Sequence, residues 1–392
     1  MKYRKFNSDY LFTGQDLLDK NHVLIAENDG TIINIISTDE AGEDVEKFNG
    51  ILSPGFINAH SHTELTHLKG YIPEKTGLTD FVYRVVTGRH FDEQEILTAI
   101  ENAEAEMLKC GIVAVGDICN NNLTLSQKKK GQLNYYNFIE VSGWDPKIAF
   151  ARFEKSKAFY NEFEENNLKT SLVPHAPYSV SSELWGKIAP FFRGKVISIH
   201  NQEIASEDEF FLRGTGKLVD MYQKMNIDNS FFKFPKLRSL QTYFKRLSGA
   251  ASVILVHNTF MEQQDVDYVN NEKPDQQLVS FCLCINANLY IEDALPPVDM
   301  FLRNECNVVI GTDSVASNRQ LNILEELKTI SKNFPAISTE TLLKWATING
   351  AKALQMEDKF GSFEKGKQPG IVLVENTSSK QINANSAARR IL

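Results

Sequence analysis

The fold is decided by the stretch Leu52-Ser53-Pro54-Gly55-Phe56-Ile57-Asn58-Ala59-His60-Ser61-His62, an apolar run of strand length that ends in two histidines. Residues two apart on a strand point to the same side, so the imidazoles of His60 and His62 face one direction. Paired nitrogen ligands at a strand end suit a catalytic metal ion. The stretch therefore predicts a strand whose carboxyl end carries part of an active site.

Further apolar runs of strand length follow this stretch, and a helix-like segment comes after each of them. The runs cover residues 111–119, 134–141, 170–175, 195–200, 252–257, 278–285 and 308–313. A strand that is buried on both faces of a parallel sheet has such a near-continuous apolar sequence. Together with the first stretch they predict an α/β fold, a distorted (β/α)8 TIM barrel over residues 53–356.

The two ends of the chain predict a second, smaller unit. Apolar residues alternate over residues 22–26 and 32–36 around Asp29-Gly30, which is typical of a β-hairpin. Strand character returns after Gly361. We therefore expect residues 1–52 and 357–392 to form a small β-sandwich domain together.

Helix signals occur between the predicted strands. Asp92 precedes an apolar stripe that ends before Gly111. Ser181 could cap the helix that contains Leu184, Trp185 and Ile188. Residues 215–247 are the least regular part and are rich in Lys, Phe and Asn. We interpret them as a lid over the active face of the barrel.

Composition excludes several classes of function. The formal net charge is −8 and the nearest approach to a basic stretch is Lys128 to Lys130, which we interpret as a solvated loop. We therefore expect no nucleic-acid partner. No apolar stretch is long enough to cross a bilayer, and the first residues lack a secretory signal. We expect a cytoplasmic protein without membrane contact, whose five scattered cysteines are reduced thiols.

Metal-type side chains end several predicted strands in addition to the first. Of eight histidines in the chain, five end predicted strands: His60, His62, His175, His200 and His257. Asp313 ends the last predicted strand. Each of them alone is compatible with a structural role, such as a buried histidine or a helix cap. Their conjunction at one end of a barrel favours a metal centre, because active sites of barrels lie at the carboxyl ends of strands.

The motifs resemble those of the amidohydrolase superfamily. Residues 52–62 resemble its first-strand signature, and Gly311-Thr312-Asp313-Ser314 its eighth-strand motif. His200-Asn201-Gln202-Glu203 resembles the His-x-x-Glu of the branch that contains chlorohydrolases and nucleoside deaminases. Pro174-His175-Ala176-Pro177-Tyr178-Ser179 and Asn288-Leu289-Tyr290 look most like aminodeoxyfutalosine deaminases of menaquinone biosynthesis. The resemblance covers nearly the whole chain, including the divided β domain.

This resemblance implies a deaminase with one divalent metal per chain, zinc in the first place, with iron or manganese as alternatives. The implied ligands are His60, His62, His200 and Asp313. Metal-hydroxide would attack an adenine-type nucleoside, 6-amino-6-deoxyfutalosine, while His257 and Asp313 orient the water and take its proton. Glu203 would protonate a ring nitrogen of this small-molecule substrate. The alternative for Glu203 is a surface carboxylate in an acidic loop.

Residues farther from the predicted metal are assigned to substrate contacts. These are His175, Glu64 for ribose hydroxyls, and Arg84 and Arg89 for a substrate carboxylate. The two arginines are equally compatible with solvated surface charges. We also expect a homodimer.

The chain departs from the family pattern in two places. Cys284-Ile285-Asn286-Ala287 replaces the usual Pro, polar residue and Ser after the seventh-strand Cys, and Lys367-Gln368-Pro369-Gly370 replaces Lys-x-Ala-Asp. The first departure lies at the pocket and leaves other substrates open: S-adenosylhomocysteine or adenosine, guanine, or a triazine chloride. A non-catalytic metal-binding or scaffold protein is the alternative from another class.

Overall fold

The structure is a computed structural model that describes residues 3–88, 91–377 and 380–392. The described residues form fifteen strands: β1 (Tyr3–Phe12), β2 (Leu17–Asp19), β3 (His22–Glu27), β4 (Ile32–Ser37), β5 (Val45–Pro54), β6 (Phe56–Ser61), β7 (Ile112–Cys119), β8 (Asn134–Val141), β9 (Thr170–Pro174), β10 (Val196–Asn201), β11 (Ser252–His257), β12 (Leu278–Leu283), β13 (Asn307–Ile310), β14 (Ile371–Glu375) and β15 (Ala387–Arg390).

Helices follow most of the central strands. In the described parts of the chain they are α1 (Leu78–Thr87), α2 (Glu93–Lys109), α3 (Leu125–Lys128), α4 (Ala149–Glu165), α5 (Ser182–Ile188), α6 (Ser206–Arg213), α7 (Lys217–Lys224), α8 (Ser239–Tyr243), α9 (Gln263–Glu272), α10 (Ile285–Glu292), α11 (Val298–Arg303), α12 (Ile323–Asn333), α13 (Thr339–Ala346) and α14 (Ile348–Ala353). A 3-10 helix, Thr63–Leu68, follows β6 directly. No helix among these is long and apolar enough to cross a membrane.

The central strands form two four-stranded parallel sheets, in the orders β6-β7-β8-β9 and β10-β11-β12-β13. All residues of β6, β7 and β10 are buried, as their apolar sequences predict. The carboxyl ends of the two sheets meet twice: Ser61 pairs with Asp313, and the backbone N–H of His200 donates to the carbonyl of His175 at 3.0 Å. The prediction of eight parallel strands alternating with helices is confirmed.

The chain ends pair in one mixed sheet of seven strands, ordered β15-β14-β5-β1-β3-β4, with β2 on β1. The predicted hairpin is confirmed as β3 and β4, whose turn contains Gly30 with φ +90°. This sheet has its own apolar core, which includes Phe6, Leu24, Leu52 and Leu373.

Local signals placed helix starts well and strand ends less well. Asp92 accepts a hydrogen bond from the backbone of Gln94 at the start of α2, and Ser181 caps α5 in the same way. The last two central strands are shorter than predicted. Strand β12 ends before Cys284 because α10 begins at Ile285, and β13 ends three residues before Asp313, whose φ is +56°.

A separate apolar cluster covers the carboxyl ends of the central strands. Its members follow several different strands: Leu68, Ile72, Leu78, Phe81, Val85, Trp144, Ala176, Tyr178, Ile204, Phe210, Phe211, Leu218, Met221, Tyr222, Ile291 and Ala316. We call α1 and α7, which both contribute to it, the cover. Of residues 215–247, which the sequence predicts to be a lid, α7 belongs to this cluster, and a 2.9 Å ion pair between Lys224 and Asp80 joins it to α1.

The interpretation of Lys128 to Lys130 as a solvated loop is wrong for its first residue. Lys128 is the last residue of α3 and is only 3% exposed, whereas Lys129 and Lys130 are exposed. The reason is a buried counter-charge, since Asp117 of β7 lies 2.5 Å from the Lys128 ammonium. All five cysteines are free, as expected.

Candidate active site

Three predicted metal ligands converge at the carboxyl ends of β6 and β10. The Nε2 atom of His62 lies 3.2 Å from Nε2 of His60 and 3.3 Å from Nε2 of His200. Asp313 closes the group, with its Oδ1 3.4 Å from His62 and 3.8 Å from His60. All four side chains are buried. The sequence prediction therefore named residues that the structure brings together.

Backbone contacts hold Asp313 at this position. Both Thr312 and Asp313 donate their backbone N–H groups to the carbonyl of His60, at 3.0 and 3.1 Å. The hydroxyl of Ser317 donates to Oδ2 of Asp313 at 2.5 Å. Oδ1 is thereby left facing the histidines. Ser317 was not among the predicted site residues.

The donor set fits a divalent cation. Nδ1 of His200 lies 2.8 Å from the carbonyl of His175, so it donates there and Nε2 carries the lone pair that faces His62. Burial lowers the pKa of His60 well below its ordinary 6.5, and burial together with His175 lowers the pKa of His200 to about 3. Neutral imidazoles are the ligand form of histidine. Lone pairs of this kind facing a carboxylate repel one another unless a cation lies among them.

The carboxylate of Asp313 is ionised despite its burial. Burial alone would raise its pKa, but His62, His257 and the Ser317 hydroxyl lower it, and the net direction is downward. An anionic ligand beside neutral imidazoles is a common environment for zinc. The residues present therefore fit the metal that the resemblance implies.

His257 and Glu203 form a pair beside these ligands. Nε2 of His257 lies 3.6 Å from Oε1 of Glu203, and its Nδ1 lies 2.8 Å from Oδ1 of Asn288. The amide oxygen accepts from Nδ1, which leaves Nε2 as the basic nitrogen. Asn288 lies on α10, and its role was missed because a motif shows residue types but no contacts between residues that are distant along the chain.

Glu203 is not the surface carboxylate of the alternative interpretation. It is 4% exposed, and burial followed by the nearby Asp313 raises its pKa well above the ordinary value of 4.5. Its neighbour Glu207 is buried as well. A carboxyl group with a raised pKa can hold a proton near neutral pH and deliver it.

Two further predicted residues lie near the histidines. The ring of His175 is centred 4.8 Å from that of His200, and burial lowers the pKa of His175 to about 3. Glu64 is buried in the 3-10 helix after His62, where its Oε2 accepts from the backbone of Asn120 at 2.9 Å. Glu140, which sequence reasoning missed, places a carboxylate oxygen 3.9 Å from Nδ1 of His200.

The predicted arginines are not found among these residues. Arg84 lies on α1, where its side chain is 46% exposed and donates to Asp80 at 3.0 Å. It lines a surface groove of 510 Å³ together with Tyr71, Tyr83 and Lys224. Arg89 lies outside the described residues.

The departure in the seventh-strand motif has a structural counterpart. Asn286 is the second residue of α10 and contacts Glu326 of α12 twice, through its backbone N–H at 3.0 Å and its amide at 2.9 Å. Glu326 also accepts from Asn318 at 2.8 Å, in the segment after Asp313. These contacts fix the start of the helix that carries Asn288.

The chain is similar to known proteins. The chain matches the amidohydrolase family over residues 51–391. It is 25% identical over 385 residues to the 5-methylthioadenosine/S-adenosylhomocysteine deaminase of Saccharophagus degradans, covering 92% of this chain and 80% of that protein.

Two solved structures have the same fold. Helicobacter pylori aminofutalosine deaminase in complex with methylthio-coformycin gives a TM-score of 0.82 at 22% identity, covering 96% of this chain and 93% of that one. An adenosine deaminase from Xanthomonas campestris with bound zinc gives 0.69 at 22% identity, covering 95% and 84%. The resemblance seen in the motifs is confirmed, and the chain belongs to the amidohydrolase family of hydrolases.

Proposed function

We propose that this protein is a metal-dependent aminohydrolase that replaces the exocyclic amine of an adenine-type nucleoside by hydroxyl, with 6-amino-6-deoxyfutalosine as its substrate. The observation that carries the proposal is the Glu203–His257 pair, 3.6 Å apart, beside the converging ligands His60, His62, His200 and Asp313. Relatives named as deaminases support the reaction class. The aminofutalosine deaminase among the structural neighbours supports the substrate, and with it a place in menaquinone biosynthesis.

The proposal includes the finer architecture and the metal. The two parallel sheets would close into one distorted (β/α)8 barrel through the contacts of Ser61 with Asp313 and of His200 with His175. The terminal sheet would fold around its own core as a small β-sandwich. One zinc ion would be held by the four ligands, in keeping with the zinc in the Xanthomonas campestris structure.

The roles of the protein groups follow from their protonation. When bound, a divalent ion lowers the pKa of water from ~15.7 toward ~7, so a nucleophile is available near neutral pH. Nε2 of His257, whose Nδ1 is held by Asn288, would take the proton of the attacking water with the help of Asp313, and this proton would pass to the leaving amine so that it departs as ammonia. Glu203 enters the reaction protonated and donates to a ring nitrogen, which makes the attacked carbon electrophilic before ammonia leaves.

Substrate contacts are proposed for the residues around this core. Glu64 accepts hydrogen bonds from ribose hydroxyls and His175 contacts the substrate, since Glu64 is buried two residues after His62 and the half-buried His175 ring is centred 4.8 Å from that of His200. The benzoate of 6-amino-6-deoxyfutalosine requires a cation, because an unpaired carboxylate in a closed pocket costs several kcal/mol. Arg84 and Arg89 are proposed for this contact.

Ammonia release tests the proposal directly. Zinc-loaded protein should release ammonia from 6-amino-6-deoxyfutalosine with a kcat/KM ~100-fold or more above that for adenosine, the scale of a charge-assisted contact that adenosine lacks. S-adenosylhomocysteine, 5-methylthioadenosine and guanine complete the panel, and chloride release is measured with a triazine. Equal rates on the first two substrates would refute the substrate assignment. No turnover of any compound would leave the scaffold alternative.

A further inference from the structure

The buried lysine that the sequence did not reveal lies at the end of a chain of contacts. Nζ of Lys128 is 2.5 Å from Oδ2 of Asp117 and 3.1 Å from Sγ of Cys119, and it lies over the rings of Tyr135 and Phe163. The Lys128 side chain is 1% exposed and that of Asp117 is fully buried. The ammonium group of Lys128 therefore serves as the buried counter-charge of Asp117.

The other oxygen of Asp117 holds the residue that follows His62. Oδ1 accepts from the backbone N–H of Thr63 at 2.8 Å and from its hydroxyl at 2.7 Å. Close by, the backbone of Asn120 donates to Glu64. The end of β7 therefore contacts both residues after the His-x-His pair. These contacts hold the backbone directly after His62, whose own strand ends at Ser61.

Charge balance decides whether Asp117 remains an acceptor. A buried carboxylate without a counter-charge tends to take up a proton or to move toward water. Burial would lower the pKa of Lys128, but Asp117 and Cys119 raise it, and the net direction is upward. Burial raises the pKa of Cys119 to about 12, so the thiol remains neutral, and Oδ2 of Asp117 at 2.5 Å is the partner that Lys128 faces.

We propose that Lys128 is a positioning residue that acts through Asp117 and Thr63 to fix His62 as a metal ligand. The inference rests on the ligand set of the proposed function and on no particular substrate. A displacement of His62 would disturb the whole ligand set, since its Nε2 lies within 3.4 Å of three other ligand atoms, those of His60, His200 and Asp313. Groups that hydrogen-bond a metal ligand typically contribute ~10 to 100-fold in metal affinity, and we expect an effect at the lower end of this range for a lysine that acts through two further residues.

The lysine triplet supplies its own control. Lys128→Met keeps the length of the side chain and removes its charge, whereas Lys130→Met removes an exposed lysine that pairs with Glu101. Zinc affinity is measured in the folded protein by competition with a chelator of known affinity, without substrate. We expect Lys128→Met to raise the zinc dissociation constant ~10-fold or more and Lys130→Met to leave it unchanged. Equal affinity in both variants overturns the inference, even if Lys128→Met unfolds at a lower temperature.

A double variant separates positioning from the charge itself. In Asp117→Asn/Lys128→Met the amide oxygen still accepts from Thr63 and no buried charge is left, so zinc affinity should return to within ~3-fold of the unmodified protein. Failure of this rescue, with the single variant impaired, contradicts action through Asp117.

Thr63→Val tests the last step without touching the lysine, which keeps the inference testable if Lys128→Met does not fold. It removes the 2.7 Å hydroxyl contact and should weaken zinc binding in the same direction. Unchanged zinc affinity in this variant overturns the inference. If every variant binds zinc with wild-type affinity and the protein releases ammonia from the nucleoside, this inference is refuted and the proposed function remains intact. If the variants bind zinc more weakly but the unmodified protein releases no ammonia from the nucleoside, only the substrate assignment is refuted.

Discussion

The floor of the site and the cover are held together by different forces. We call floor the buried side chains at the strand ends, which are His60, His62, His200, Glu203, His257 and Asp313. On the floor the reactive side chains are buried, and two of the histidines are fixed by a backbone carbonyl or an amide, as His200 is by His175 and His257 by Asn288. On the cover, Arg84 and Lys224 are about half exposed and both pair with Asp80. Breaking a buried pair costs several kcal/mol, whereas an exposed ion pair contributes ~0 to 1 kcal/mol. The chemistry is thus fixed at the floor, and substitutions on the cover should have small effects.

The largest expected effect is on the floor. Glu203→Gln keeps the shape of the side chain but cannot exchange a proton, so kcat should fall ~100 to 10,000-fold. Zinc content, measured by elemental analysis, should stay at about one per chain, because the structure places Glu203 beside the ligand group and not in it.

Glu183→Gln is the matched control, since Glu183 is an exposed carboxylate at the start of α5. Its turnover should equal that of the unmodified protein. A Glu203→Gln protein that retains near wild-type kcat would show that the buried carboxyl carries no proton in the reaction, and the contrast between floor and cover would lose its main support.

The sequence predicted the floor because its signals are local. His60 and His62 are two residues apart on one strand, and the apolar runs before His200 and His257 mark where those strands end. A parallel barrel then brings strand ends together whatever the loops contain. The same reasoning predicted the Asp92 and Ser181 caps, which depend on residues two or three positions away.

The missed contacts join residues that are distant along the chain. Asn288 is 31 residues from His257, and Thr63 is 54 residues from Asp117. Lys128 looked like one of three equivalent lysines, since only the buried aspartate distinguishes it. The cover consists of two helices, α1 and α7, that are far apart along the chain. The apolar periodicity of each helix does not show that the two pack together. Such contacts follow from tertiary packing, which outweighs local preference.

An effect of intermediate size on stability is expected from Glu207, a buried carboxyl group near Glu203. Oε1 of Glu207 accepts from the backbone of Gln202 at 3.1 Å and from the Ser239 hydroxyl at 2.5 Å. Burial raises the pKa of Glu207 from its ordinary 4.5 to about 8. The folded state therefore binds the proton more tightly than the unfolded state does. This contribution to stability is complete below about pH 4.5 and is lost as pH rises through about 8.

Glu207→Gln should remove that loss, because its amide mimics the protonated carboxyl and does not titrate. The free energy of unfolding of the unmodified protein should fall relative to the variant by on the order of 3 kcal/mol between about pH 5 and pH 8. Urea denaturation at several pH values measures the difference, with Glu183→Gln as the exposed control. A constant difference across this range would mean that Glu207 is ionised in the folded protein throughout.

The smallest effect is expected on the cover, at the arginine proposed for the substrate carboxylate. Because Arg84 is 46% exposed and already paired with Asp80, its contact with a benzoate should be worth no more than ~1 kcal/mol, or about 5-fold. Arg84→Met should lower the preference for 6-amino-6-deoxyfutalosine over adenosine by that factor at most and leave adenosine turnover unchanged, so the larger part of the ~100-fold preference is assigned to Arg89.

Lys224→Met is the matched control, since Lys224 pairs with the other oxygen of Asp80 at 2.9 Å. The kcat/KM ratio of the two substrates is measured for both variants and for Arg89→Met. If Arg84→Met alone removed a preference of ~100-fold, the guanidinium would have to be desolvated when substrate is bound, because an exposed pair cannot supply that much. The cover would then close over the substrate and become as buried as the floor, and the distinction between the two regions would hold only for the protein without substrate.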